Sequence, residues 1–202
     1  ISPEELPEFC IRINEANIQN DTRALILWQL HTMVRPSEAA GTRWDEINFE
    51  NQIWSIPAER MKKKRPHSVP LTHQALDLLK PLKALNGHRD HVFHSSRSKS
   101  KHLNESTVNT VLKRNGYKDR LVAHGMRALA STTLNEQGFD ADIIESALAH
   151  SDKNEIRAAY NRAEYLERRR LMMNWWSSKI EHATSENSQP VNKDSRTVKH
   201  DS

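Results

Sequence analysis

The apolar residues of this chain change their period over one short stretch, and that stretch limits the possible folds. Ile47-Asn48-Phe49 and Ile53-Trp54-Ser55-Ile56 alternate apolar and polar residues on either side of Glu50-Asn51-Gln52, which is a hairpin pattern. Ser68-Val69-Pro70-Leu71 reads as a third strand, confined to an edge because proline cannot donate to a sheet ladder. The rest of the patterned chain reads as helical. The expected fold is therefore mostly α with a small three-stranded antiparallel β-sheet.

The helical readings are specific. Ser2-Pro3-Glu4-Glu5 is a helix start, and Pro7 breaks or restarts that helix. A second helix is expected from about Asp21 to Met33, with Leu25, Trp28 and Thr32 on one face, and a short turn from Pro36 to Gly41. Thr72 caps a helix to about Leu85. Others are expected over Asn104–Asn115 with Gly116 at the end, then near 124–137 up to Gly138, 140–149, 153–161 and 163–181. From about His182 the chain is rich in Ser, Asn and Lys and reads as a disordered tail. The expected division is thus a domain over 1–181 and a polar tail over 182–202.

A length of 202 residues suits one generous domain, or two small ones, with a core that needs no staples. The single cysteine, Cys10, excludes an internal disulfide and a four-cysteine zinc site, and it fits a reducing compartment. No apolar run approaches the roughly 18 residues of a membrane span. No signal peptide is visible, and Ile1 is not an initiator methionine, so the chain reads as a fragment. Charge is uneven: residues 1–60 hold five Arg against ten acids, and the remainder holds 25 Lys or Arg against 16 acids. A basic majority of this kind points to a polyanionic partner on one face.

Several residues could carry chemistry. The eleven histidines form no His-Glu-x-x-His motif, so a metal site has little support, and His67, His73, His88, His91, His94 and His102 read as solvated. His124-Gly125-Met126-Arg127 places two donors one turn apart at a helix start, where a phosphate is well received. His150 ends a helix, and Tyr160 follows two alanines. Arg35 precedes Pro36-Ser37-Glu38, and Arg60 to Arg65 is a charge run between strands two and three. Each of these has an ordinary structural reading. Together they list the parts for metal-free phosphoryl transfer at DNA: two Arg, two His, one Lys and a Tyr.

In that order the residues resemble the catalytic domain of the tyrosine recombinases, the phage integrase family. The resemblance spans about residues 1–180 and is nearest to integrases of prophages and satellite-phage or genomic-island elements. Arg60-Met61-Lys62 through Arg65-Pro66-His67-Ser68-Val69-Pro70-Leu71, and Arg157-Ala158-Ala159-Tyr160-Asn161-Arg162-Ala163-Glu164-Tyr165, carry it most clearly. It implies catalytic roles for Arg35, Lys62, His124, Arg127, His150 and Tyr160, with Tyr160 the nucleophile. Lys62 is preferred to Lys63 and Lys64 by its spacing of eight residues from Pro70. Glu38 would support Arg35, while Lys63, Lys64 and Arg65 would contact DNA. Tyr165 is expected to pack rather than react. One position departs from the pattern: Thr32-Met33 stands where Thr-Gly is usual, which puts the local turn in question.

The resemblance further implies site-specific integration and excision through a 3′-phosphotyrosyl intermediate, without metal or cofactor. The implied partners are double-stranded DNA attachment sites, a homotetramer on DNA (the fragment alone being monomeric), an excisionase and host DNA-bending factors. No membrane is involved, and the setting would be the bacterial cytoplasm at the nucleoid. The stripe of Leu166, Leu171, Met172, Trp175 and Trp176 would either pack on its own core or dock on a neighbouring protomer. The alternatives are a non-catalytic DNA-binding regulator derived from an integrase, a metal-dependent nuclease, and a type IB topoisomerase.

Overall fold

The computed structural model describes residues 1–150 and 162–185. The expected helix over 153–161 lies outside the described residues. At the start, the Ser2 backbone N–H donates to the Glu5 carboxylate at 2.6 Å and a 3-10 turn covers Pro3–Glu5. Helix α1 (Leu6–Glu15) then begins with Pro7 in its first turn, where the missing N–H costs nothing, so Pro7 restarts the helix. Leu6, Phe9, Cys10 and Ile13 recur at helical spacing and are buried.

Helix α2 (Asn20–Thr32) is the centre of the domain. Leu25, Ile26, Trp28 and Leu30 are each no more than 1% exposed, so the helix is buried on more than one face. Met33 ends it in the left-handed conformation, with φ at 59°. This is the departure noted in the sequence, and the structure explains it: a glycine-type turn is made here by methionine. The strain, about 1–2 kcal/mol, is offset by burial of the side chain to 1% exposure. Pro36 then opens α3 (Pro36–Ala40).

The sheet forms as expected. Strands β1 (Ile47–Asn48), β2 (Ile53–Ile56) and β3 (His67–Pro70) pair antiparallel in the order β1-β2-β3. The register sets Ile47 opposite Trp54, Trp54 opposite Val69, and Ile56 opposite His67. Pro70 sits on the outer strand, where its missing donor is tolerated.

Helix α4 (His73–Asn86) starts where Thr72 Oγ1 accepts from the Ala75 N–H at 3.2 Å. The loop after it is held inward by Val92 and Phe93, both fully buried. Helix α5 (Ser106–Leu112) is shorter than expected at both ends. Asn104 Oδ1 caps it from outside at 2.8 Å, and a wide turn over Lys113–Tyr117 runs into Gly116 at φ 90°. Helix α6 (Gly125–Glu136) stops before Gly138 at φ 86°, and α7 (Ala141–Ala147) is capped by Asp140.

Helix α8 (Arg162–Ser185) runs past the helix end expected near 181. Its last turns still pack, with Ile180 2% and Ala183 5% exposed, and the polar tail beyond Ser185 lies outside the described residues. Met172, Met173 and Trp176 are buried on the domain's own core, and Trp176 Nε1 donates to the Leu30 carbonyl at 2.8 Å. Trp175 packs edge-on against Phe139, while Leu171 is 70% exposed. Among the described residues, no helix is long and apolar enough to cross a membrane.

Candidate active site

Two arginines 92 positions apart in sequence meet beside the end of α2. Arg35 caps α3, and its conformation is set by one carboxylate. Glu38 accepts the Arg35 backbone N–H at 3.0 Å and Nη1 at 3.1 Å. Glu38 is 1% exposed, so this pair is largely withdrawn from water. A second arginine braces the same corner: Arg60 Nη2 donates to the Glu38 carbonyl, and Arg60 pairs with Glu46, which also accepts from Trp54 Nε1.

Arg127 lies one turn into α6 and is 4% exposed. Its guanidinium donates to two backbone carbonyls, Met33 at 2.5 Å and Leu148 at 2.7 Å. Met33 is the left-handed residue, so the unusual turn aims a carbonyl at Arg127. Burial, and then the nearby Arg35 charge, lower the Arg127 pKa to about 10, which leaves it charged at neutral pH. Two like charges held in low dielectric, with Glu38 and Glu145 as neighbouring acids, form a site that favours an added anion.

The histidines border this pair. His150 follows α7 and is partly exposed. Its Nε2 lies 3.5 Å from Arg127 Nη2, and its Nδ1 is 2.7 Å from a Glu145 carboxylate oxygen. The carboxylate favours a proton on Nδ1. His124 is exposed immediately before α6. Its proton affinity is lowered, first by desolvation and then by Arg127, Arg35, Lys62 and His150. The charges of Arg127, Arg35 and Lys62 thus reach His124, while the direct contact within this group is the one between Arg127 and His150. The lowered affinity favours the neutral ring, whose lone pair can take a proton.

Lys62, Lys63, Lys64 and Arg65 are all exposed on the loop between β2 and β3. Tyr160 lies outside the described residues. Tyr165 is in α8 and packs half-buried against the core, as expected.

Two residues near the site escaped the sequence reading. His67 was expected to be solvated, but it is buried at the start of β3, and the fields of Arg169, Arg127 and Arg35 reach it. Strand alternation carried the signal, because His67 shares a face with inward-facing Val69. Arg169 is 6% exposed on α8 and stands at helical spacing on the same stripe as Met172, Met173 and Trp176. Among the described residues no three His, Cys, Asp or Glu gather as a metal-ligand set. Burial pushes the Cys10 thiol up to about 12, which makes it unreactive.

The sequence matches the model of the phage integrase family over residues 1–167. The chain belongs to the phage integrase family. It is 50% identical over 185 residues to the prophage integrase IntA of Escherichia coli K12, covering 92% of this chain and 45% of that protein. It is 38% identical over 191 residues to the integrase of Enterobacteria phage P4, covering 87% of this chain and 44% of that one. The chain thus spans a little under half the length of these relatives.

Solved folds agree. The integrase of mycobacterium phage Brujita superimposes with a TM-score of 0.65 at 17% identity, over 89% of this chain and 62% of that one. The XerH site-specific recombinase, in its pre-cleavage complex with difH substrate, gives 0.61 at 22% identity, over 81% and 51%. The mostly helical domain with a three-stranded antiparallel sheet is the tyrosine recombinase catalytic fold.

Proposed function

We propose that this domain breaks and rejoins DNA in site-specific recombination, as the catalytic part of a prophage or genomic-island integrase. The observation that carries the reading is the buried Arg127, held by the Met33 and Leu148 carbonyls with His150 Nε2 at 3.5 Å, next to the Arg35–Glu38 pair that follows Met33 in the chain. Such a cluster suits a phosphodiester whose charge grows during displacement.

In this reading the Tyr160 phenolic oxygen forms a bond to phosphorus and the bond from phosphorus to the 5′-oxygen breaks. The phenolic proton passes to His124. The leaving oxygen takes a proton from Lys62 and departs as a 5′-hydroxyl. The strand stays attached through a 3′-phosphotyrosyl link, and attack by another 5′-hydroxyl reverses the step. Arg35, Arg127 and His150 hold the non-bridging oxygens, and Glu38 keeps Arg35 in place. A free phenol has a pKa near ~10, so it needs this neighbouring base and these cations at neutral pH.

Lys63, Lys64 and Arg65 would grip the DNA backbone from the exposed loop, which makes binding salt-dependent. Duplex attachment sites are the substrate, and a tetramer on DNA, an excisionase and DNA-bending proteins complete the expected assembly. The test is a nicked duplex carrying the attachment core of the element that encodes the chain, incubated with the protein in chelator. Recombinase chemistry gives a covalent protein–DNA adduct that survives denaturing electrophoresis. Tight binding without an adduct would instead favour a regulator that has kept the fold and lost the reaction.

A further inference from the structure

The loop that carries Lys62 is pinned at both ends. On the near side, Arg60 reaches Glu46 at 2.7 Å and the Glu38 carbonyl at 3.3 Å, and Met61 is 3% exposed. Lys62 to Pro66 are exposed. On the far side the chain dives inward at His67, which pairs with Ile56 and closes the base of the loop. Among the sheet's other polar residues, Asn48, Ser55 and Ser68 face outward, whereas His67 is buried.

A buried imidazole at the base of a basic loop is an unusual anchor. Arg169 donates to the Ser68 carbonyl at 2.7 Å, so α8 grips β3 at the residue next to His67. Desolvation first, and then the Arg169 charge, favour the neutral ring; a hydrogen bond with the Ala147 backbone works the other way, and the charges of Arg127 and Arg35 add smaller contributions to the neutral side. His67 Nε2 and Arg169 Nε are both buried without a partner among the described residues. One can accept and the other donates, and both belong to the same strand–helix contact. A buried polar atom left unpaired costs about 1–3 kcal/mol, which a purely structural core position would shed by becoming apolar.

We propose that His67 is a positioning residue: buried at the start of β3, opposite Ile56 and next to the Ser68 carbonyl that Arg169 grips, it fixes the base of the loop that presents Lys62 to the leaving oxygen. This rests on the recombinase reading above. His67 itself touches no reacting atom. It acts by keeping the loop at one distance from the arginine pair.

The experiment compares the unsubstituted chain, His67→Ala and His67→Asn on two nicked duplexes. One is ordinary DNA. The other carries sulfur in place of the bridging 5′-oxygen, and its thiolate leaves without needing a proton. A misplaced acid should slow adduct formation on ordinary DNA by about 10–100-fold. On the sulfur-bridged duplex the loss should fall below about 3-fold, because Lys62 is no longer needed there. His67→Asn keeps a donor for the Ala147 carbonyl and should lie between the two, and it carries the test if His67→Ala fails a thermal-melt check of folding. Equal losses on both duplexes, or no loss on either, would overturn the proposal while leaving the recombinase reading intact. No adduct from the unsubstituted chain on either duplex would overturn both.

Discussion

Removing the Glu38 carboxylate tests how the first arginine is held. Glu38 is 1% exposed and takes two hydrogen bonds from Arg35, one from the backbone N–H and one from Nη1. Glu38→Ala therefore strips the start of α3 of an acceptor and leaves a guanidinium without its counter-charge. The capping loss alone is worth about 1 kcal/mol. Breaking one side of a buried ion pair costs about 3–5 kcal/mol, because the remaining charge stays desolvated. Two corrections lower the total. The losses share one carboxylate, and the Arg35 side chain is 13% exposed and can turn partly to water. The expected net cost is about 3 kcal/mol. At about 2–4 °C per kcal/mol for a chain of this size, Tm falls by about 6–12 °C. Glu38→Gln keeps the shape and one acceptor and should lose roughly half as much. Urea unfolding read by tryptophan fluorescence gives both numbers, and unchanged m-values keep the comparison clean. A loss below about 1 kcal/mol for Glu38→Ala refutes the reasoning.

Arg127→Lys cannot reach the Met33 and Leu148 carbonyls together, so adduct formation should fall by about 100-fold or more while DNA affinity, measured by fluorescence anisotropy, changes by less than about 10-fold. His31 is buried against Ser177 and pushed down to about 4, mainly by desolvation and then by His73. Unfolding frees it to take a proton near pH 6.5, so its contribution is complete above that pH and declines as pH falls toward 4, by about 3 kcal/mol in all. His67, pushed down to about 3, adds its own decline from the same starting pH and carries it lower. His31→Asn should roughly halve the slope that these two histidines give urea-measured stability between pH 6.5 and 4, and an unchanged slope would contradict this. Met33→Gly relieves the left-handed strain but deletes a side chain that is 1% exposed, so it should lose about 1–2 kcal/mol in urea unfolding. A gain in stability would show that strain outweighs packing there.

Much of the fold was legible because periodicity reports burial. The strand alternation at Ile53–Ile56 and Ser68-Val69-Pro70-Leu71 gave the sheet, and Pro70 gave its edge. The observed third strand starts one residue earlier, and His67, read as a solvated loop histidine, falls on its inward face. Arg169 was hidden for a similar reason: a charged residue on an apolar stripe reads as surface until its carbonyl partner on β3 is known. Helix α8 ran past its expected end because the polar letters around Ile180 and Ala183 masked their spacing.

The site divides along the same line. Which residues to expect in it followed from their order along the chain. How they are held did not, because the Arg127 partners are carbonyls of Met33 and Leu148, which belong to remote segments and leave no mark on side-chain chemistry. The left-handed Met33 shows the limit most clearly. Its identity looked like a local defect, and only the fold reveals that the turn presents an acceptor to the second arginine.

The most direct test of the central claim is the nicked-duplex assay repeated with Tyr160→Phe and Tyr165→Phe in chelator. The account predicts that Tyr165→Phe forms the covalent adduct at close to the parent rate and that Tyr160→Phe forms none while still binding the duplex. An adduct that persists in Tyr160→Phe and disappears in Tyr165→Phe would contradict it.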